Sequence, residues 1–414
     1  MTPSFTSESE KSLDYSKNPL ILTLNAGSSS LKFAIFSQFP PGLVRISYGQ
    51  WERLNLKDPR LNWYDFHQNK HDSIPFPIEK NVSPAEICIS WLAQKLSAST
   101  LLAIGHRVVH GGDRFYSPTL VDETVLQSLE QLIPLAPDHL PAELELIQSC
   151  KKSFPGTKQI ACFDTAFHHT LPSYARTLSL PRRFAEQGIH RFGFHGLSYS
   201  YLQSVLNKEF PGIAQKKIIM AHLGNGCSMC ALEHGRSIDT TMSFTPCAGV
   251  PMGSRSGDID PGLLRYFHEH LQLNPEQMNE IFLHQSGLKG VSGLSSDIRD
   301  LLAQKELPQV REALDWFAYQ LRKAIGALTA ALGGLDALVF SGGMGEHCAW
   351  LRQAIIQPLA YLGLALDTKK NEENATVISP DPTSKFAPST IPILVIPTNE
   401  EKQIAEESVL VAQK

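Results

Sequence analysis

No Gly-Lys dipeptide occurs anywhere in the chain, so the single-loop Walker A solution to nucleotide binding is excluded. No uninterrupted apolar run approaches the ~20 residues of a membrane-spanning helix. The richest stretch, from Ala324 to Phe340, is broken by Gly326, Gly333, Gly334 and Asp336. Positive charge is not in excess: 37 Lys and Arg against 41 Asp and Glu leave a formal net charge of −4, with no basic footprint for nucleic acid. Cysteine is sparse, seven residues in an odd set without framework spacing, which suits a reducing cytoplasm better than disulfides. Cys227 and Cys230 have CxxC spacing, but no second Cys or His pair follows at matching spacing, so a metal is not expected there. His67/His71 and His106/His110 are not expected as ligand pairs either; the second pair lies in a β-like Arg-Val-Val stretch and would not share a helix face. The first residues lack the apolar segment of a signal peptide, and 1–18 reads as a disordered tail.

What is present describes an ordinary globular protein: 414 residues, 42% hydrophobic and 19% charged, enough for two to three domains. Residues 20–36 form an apolar run, a thin polar turn from Asn25 to Ser30, and a second apolar run, which predicts a β-hairpin. Gly27 and three serines let backbone N–H groups and hydroxyls converge on one ligand, a geometry that favours phosphate oxygens, and Lys32 adds a positive charge. An empty polar turn is the bland alternative. Residues 218–232 repeat the design around Gly224, Asn225 and Gly226. Two such hairpins half a chain apart suggest two similar domains offering phosphate-gripping turns to a nucleotide.

Between them, residues 39–80 read as further strands and loops, and Ser83 to Glu86 as a capping box opening a helix. Arg107 stands between the start of a predicted short strand and two valines, a poor place for a solvated arginine. It is either a structural ion-pair partner or an anion clamp. Residues 122–150 read as two helices with a break over Ile133 to Pro141. Asp164 ends a strand-like run, where α/β folds place ligand chemistry, although a helix cap is also possible for it. His195 sits among aromatics beside Gly196, where a packed core histidine is the default. The Gly-, Ser- and Pro-rich run 249–261 reads as a loop holding Arg255 toward a site, and 292–300 as a loop entering a helix. Leu314, Phe317, Leu321, Ile325, Leu328 and Leu332 mark one buried helix face ended by Gly333 and Gly334. Ala337 to His347 reads as strand, glycine loop and helix start, residues 371–390 as a surface excursion, and Thr398 to Glu401 as a second capping box. Glu400 is either a first-turn acid or a cleft residue.

Taken in order, these stretches resemble the acetate kinase family: Asn25-Ala-Gly-Ser-Ser-Ser-Leu-Lys32, His106-Arg-Val-Val-His-Gly-Gly112, Phe163-Asp-Thr-Ala-Phe-His168, Gly193-Phe-His-Gly196, His222-Leu-Gly-Asn-Gly226, Gly253 to Pro261, Ser296-Asp-Ile-Arg-Asp300, Ser341 to Glu346 and Thr398-Asn-Glu-Glu401. The chain departs from the family pattern at Asp138-His-Leu-Pro141, near where the acyl group should bind, at Leu197-Ser-Tyr199, and at Cys227.

The resemblance implies an α/β fold of two ribonuclease-H-like domains (the acetate and sugar kinase/Hsp70/actin fold) flanking a nucleotide cleft. The domains would be 19–165 plus 397–414, and 166–396. It implies reversible transfer of the ATP γ-phosphoryl group to acetate by in-line displacement, in a cytoplasmic homodimer with Mg²⁺, or alternatively Mn²⁺, and with no nucleic-acid or membrane partner. Arg107 and Val109 would bind the acyl substrate. Asp164, His195 and Arg255 would be catalytic, Arg255 meeting the phosphoryl group and His195 donating a hydrogen bond. Asn25 and Glu400 would serve the metal. Lys32, His222, Leu223, Gly224, Asn225, Gly226, Asp297, Ile298, Arg299, Gly343, Met344, Gly345, Glu346 and His347 would hold ATP. A propionate or butyrate kinase is the rival within the class, and an actin- or Hsp70-like ATP switch the rival outside it.

Overall fold

The computed structural model describes residues 18–27, 30–39, 42–54, 58–65, 70–78, 82–96, 101–381 and 391–414. The expected tail apart from Asn18, the turn residues Ser28 and Ser29, and His67 lie outside the described residues. The chain forms two compact units, one ending at Ala166 but completed by Asn399–Lys414, the other Phe167–Thr398.

In the first unit, β1 (Leu20–Ala26) and β2 (Ser30–Phe39) make the predicted hairpin, with Asn25 opposite Lys32. The meander continues through β3 (Gly42–Glu52), β4 (Arg60–Asp65) and β5 (Lys70–Pro75). On the other side of β1 lie β6 (Leu101–Val108), β7 (Thr119–Leu120) and β8 (Lys158–Phe163), giving the order β5-β4-β3-β2-β1-β6-β8-β7. Strands β1, β6 and β8 run parallel, so Asn25, Arg107 and Asp164 emerge along one edge of the sheet. One face is covered by helices Pro84–Leu96 and Leu140–Ser153, whose Ile89, Leu92, Leu146 and Cys150 join Leu22, Leu24, Phe33 and Trp51 in one core. The other face takes helix Glu400–Ala412, whose Ala405 meets Ile21, Ala34 and Phe36. Gly105 permits that contact: a Cβ there would stand 2.3 Å from Ser408 Oγ and 2.5 Å from Ile404 Cγ2.

The second unit repeats the plan with five strands. They are β9 (Ile218–Leu223), β10 (Cys227–Glu233), β11 (Arg236–Thr240), β12 (Ala337–Ser341) and β13 (Ile393–Val395), in the order β11-β10-β9-β12-β13. Again the hairpin strand is parallel to its inner neighbours, so the turn after β9, the segment after β12 and Thr398 share one sheet edge. Helix Gly196–Glu209 packs Tyr199, Leu202 and Leu206 on Ile218, Met220 and Cys230, while the expected long helix, Pro308–Leu332, lies on β9–β11 and ends at Gly333 in the left-handed region.

Three local expectations are corrected. The cap of helix Glu400–Ala412 is Asn399, whose side chain accepts from Lys402 N–H, because the Thr398 hydroxyl is taken by Ser198 at 2.8 Å. The glycine run after β12 is not a loop: Gly342–His347 is helical at once, entered through Gly342 at φ +74°, where a Cβ would stand 2.8 Å from the Leu223 backbone. Residues 371–379 are a surface excursion only in part: Glu372, Glu373, Asn374, Thr376 and Val377 are exposed, but the segment is pinned at both ends. Asn371 is buried against Arg352, and Ile378 exchanges backbone bonds with Asp367 and Ile393; residues 382–390 lie outside the described residues.

Candidate active site

At the edge of the first sheet the side chains form a continuous polar chain. Glu400 Oε2 accepts from Asn25 Nδ2 at 3.2 Å, and Asn25 Oδ1 accepts from Arg107 Nη1 at 3.3 Å. Arg107 then donates from Nη2 and Nε to one oxygen of Asp164, at 2.6 and 3.0 Å. The structural reading of Arg107 is met by this ion pair, which also fixes the guanidinium at the edge where three parallel strands end. Lys32 lies across the hairpin from Asn25 and offsets part of the charge around Glu400. The nearby Val109 is buried, and its N–H is held at 3.0 Å by Glu143 Oε2.

This edge crowds acids into a dry place. Burial, and then the nearby Asp164 charge, push Glu400 up to about 7 against the opposing pull of Arg107. Burial also pushes Glu143 up to about 7, again opposed by Arg107. Burial disfavours the Arg107 charge, but Asp164, Glu400 and Glu143 together hold it above its ordinary value. Asp164 Oδ1 is buried and meets no donor among the described residues. An unsatisfied carboxylate oxygen beside a second carboxylate and an amide oxygen is a donor set for a hard cation. Among the described residues there is no cluster of three His, Cys, Asp or Glu that would hold such an ion by itself. A cation that keeps waters and phosphate oxygens in its shell fits this edge.

The second unit builds its edge differently. His195 is the left-handed N-cap of helix Gly196–Glu209, at φ +58°, and its Nδ1 lies 2.8 Å from Ser228 Oγ. His222 stacks on it with centroids 4.3 Å apart, its own Nδ1 2.8 Å from Ser198 Oγ. A Cβ on Gly226 would stand 3.3 Å from His195 Nε2 and 3.5 Å from Arg255 Nη1, and one on Gly224 3.4 Å from His222 Nε2. Both imidazoles and Arg255 thus converge on the Gly224-Asn225-Gly226 turn, which keeps its backbone bare. Asn225 O accepts from Gly253 N–H, tying the turn to the Arg255 loop. That loop is braced by Asp258, whose Oδ1 takes Gly249 N–H at 2.8 Å, and Arg255 Nη1 donates to Pro246 O at 3.2 Å. No carboxylate pairs with Arg255 among the described residues.

The remaining sequence candidates divide. Asp297 caps helix Ile298–Ala303 and grips Arg299, 2.5 Å from Nη2, while Ile298 is buried behind them. Glu346 turns inward: Oε1 accepts from Gly342 N–H at 2.9 Å and Thr398 N–H at 3.0 Å, binding β12's exit to β13's. His347 projects outward, and Leu223 is core. Gly343, Met344 and Gly345 lie on the first turns of helix Gly342–His347.

Sequence reasoning missed Glu143, Ser198, Ser228, Tyr199 and Arg352. Arg352 is fully buried, donates to Gly345 O and Glu346 O, and is held by Asn371 and Asn374, so it anchors the last turn of the glycine-bearing helix. Burial lowers it to about 10. An arginine three residues into an apolar helix was the available signal.

Two sheets of one plan, each bringing its inner parallel strands to one edge, acids and Arg107 gathered on the first and histidines with Arg255 on the second, define an ATP-using phosphotransferase of the acetate and sugar kinase/Hsp70/actin fold. A family model described as the acetokinase family matches residues 20–406. The acetate kinase of Nitrobacter hamburgensis is 42% identical over 393 residues, covering 94% of this chain and 95% of that protein. A propionate kinase from Francisella tularensis superposes with a TM-score of 0.86 at 35% identity, over 95% of this chain and 99% of that one. The acetate kinase of Porphyromonas gingivalis does so at 0.83 and 32% identity, over 96% of this chain and 100% of that one. The chain belongs to the acetokinase family.

Proposed function

We propose that the chain transfers the γ-phosphoryl group of ATP reversibly to acetate, giving acetyl phosphate and ADP by in-line displacement. The observation that carries the reading is Arg107, held by Asp164 and Asn25 at the end of β6 with a fork suited to a small carboxylate. A carboxylate oxygen oriented there attacks the γ-phosphorus, and the β–γ bridging oxygen leaves with ADP. Arg255, free of any acidic partner among the described residues, neutralises charge spreading over the transferred group. His195 donates a hydrogen bond to it. Lys32, the Gly224–Gly226 turn, Asp297–Arg299 and Gly343–His347 bind the nucleotide. Asn25, Asp164 and Glu400 hold Mg²⁺ directly or through water, and the ion when bound supplies charge neutralisation of the phosphates.

The division into units at Ala166 and Asn399 supports reading the domains as 19–165 plus 397–414, and 166–396. A homodimer is supported by helix Gly262–Leu271, which buries none of its residues and exposes Leu263, Leu264, Tyr266 and Leu271; sedimentation at micromolar concentration tests it. A cytoplasmic location is part of the same proposal. Among the described residues no helix is long and apolar enough to cross a membrane.

The similarity to a propionate kinase keeps a second acceptor in view, since one methylene changes discrimination by only ~1–3 kcal/mol. Turnover with C2, C3 and C4 acids and MgATP, read as acyl phosphate and ADP, decides between them. Acetate is expected to give the highest kcat/KM; absence of turnover with all three acids by folded, ATP-binding protein would refute the kinase reading.

A further inference from the structure

We infer that Ser228, oriented by the buried phenol of Tyr199, fixes His195 as the neutral Nε2–H tautomer, and that Ser198, backed by Thr398, does the same for His222. Both stacked rings would then present an N–H to the Gly224–Gly226 turn. The inference rests on the proposed role of that turn in holding phosphoryl oxygens.

The hydrogen-bond directions follow from what each group can do. Tyr199 OH and Ser228 Oγ are 2.5 Å apart, and Ser228 Oγ is 2.8 Å from His195 Nδ1. Tyr199 and Ser228 are both fully buried, so no bulk water redirects them. The phenol is the more acidic of the two hydroxyls and the better donor, so its hydrogen goes to Ser228 Oγ, 2.5 Å away. Ser228 Oγ, accepting from Tyr199, spends its single hydrogen on His195 Nδ1. A ring accepting at Nδ1 carries its proton on Nε2. His222 repeats the pattern through Ser198 Oγ, 2.8 Å from both His222 Nδ1 and Thr398 Oγ1.

A third histidine in the same unit gives the direction without ambiguity. His168 Nε2 lies 3.0 Å from the Phe194 carbonyl, which can only accept, so its Nδ1 must accept from Ser237 Oγ at 2.8 Å. That bond also anchors the peptide entering the left-handed His195. A serine behind Nδ1 and a proton on Nε2 therefore recur three times. Leu197-Ser-Tyr199 is one of the three places where this chain departs from the family pattern, and Tyr199 supplies the phenol behind Ser228.

The test is ¹⁵N NMR of the ligand-free full chain labelled at histidine, with His195→Asn and His222→Asn assigning the signals. Both rings are expected to show a protonated Nε2 and an unprotonated Nδ1. Ser228→Ala should perturb His195 and not His222, and Ser198→Ala the reverse. In turnover, Ser228→Ala should lower kcat about five- to tenfold with the KM values for ATP and acid unchanged, Tyr199→Phe somewhat less, and Ser228→Thr should recover most of the loss. A proton on His195 Nδ1 in the unmodified protein, or ¹⁵N signals indifferent to Ser228→Ala, would overturn the inference. The unmodified-protein spectrum needs no variant to fold, and it is independent of which acid the enzyme uses.

Discussion

The two sheet edges present the same topology with opposite chemistry. In the first unit, Glu400, Arg107 and Asp164, with the neutral amide of Asn25 between the first two, form a hydrogen-bonded chain in a buried place, with Glu143 behind it. In the second, the histidines are backed by neutral hydroxyls, and Arg255 leans on a carbonyl and a thioether. Function and stability are therefore entangled in the first edge and separable in the second. Removing a charge from the first leaves its partner buried and unpaired, whereas removing one from the second leaves nothing stranded.

The sharpest way to break this contrast is Arg255→Ala. It is expected to lower kcat on the order of 10³-fold, as loss of an arginine finger does, while the melting temperature stays within the range of an ordinary surface change. Arg107→Ala should do the opposite in kind. It should raise KM for the acid and also destabilise the protein by about 3–5 kcal/mol, since Asp164 is 1% exposed and would lose its only described cation. Parallel steady-state kinetics and urea melts measure both. If Arg255→Ala unfolds the protein, or Arg107→Ala leaves stability untouched, the contrast is lost.

A pH experiment sharpens it next. Glu143 has a folded pKa of about 7 against an ordinary value of 4.5, so the folded state binds that proton more tightly than the unfolded one. Its stabilising contribution is complete below pH ~4 and disappears as pH rises through about 7, a loss of up to about 3 kcal/mol. Glu400 acts in the same direction. Melting temperatures of the ligand-free protein should fall across this window, and Glu143→Gln should flatten the slope. A slope unchanged in Glu143→Gln would mean that other groups carry it.

How much of this could be read from the chain alone depended on whether the signal was local. The two hairpins, the strand-end position of Asp164, and helix Pro308–Leu332 follow from apolar periodicity and glycine placement, which neighbours in sequence determine, whereas Arg107 reads as near a strand start and lies near the end of β6. Glu143 was illegible because it stands in the first turn of helix Leu140–Ser153, where an acid is expected for the helix dipole alone. Only tertiary structure brings Val109 to it. Tyr199 and Ser228 are 29 residues apart, and no spacing rule joins a helix tyrosine to a strand serine. Thr398 and Asn399 both suit a cap, and the choice fell to Asn399 because Thr398 is claimed by Ser198, 200 residues away. Asn371 looked like solvent-facing polarity, but it accepts from a buried arginine.

The smallest expected effect belongs to that cap. Asn399→Ala removes the acceptor for Lys402 N–H and should cost ~1 kcal/mol in urea unfolding, with Thr398→Ala costing no helix capping at all. A larger loss for Thr398→Ala in helix protection by hydrogen exchange would reverse the assignment.

The claim beneath both edges is that the oxygen of an acid held by Arg107 ends on the γ-phosphorus of ATP and not on the α-phosphorus. Incubation with acetate carrying ¹⁸O at both carboxyl positions, MgATP and the full chain, followed by mass spectrometry, tests it. The account predicts acetyl phosphate retaining both ¹⁸O atoms and ADP containing none; release of AMP and pyrophosphate, or ATP hydrolysis with no acyl phosphate formed, would contradict it.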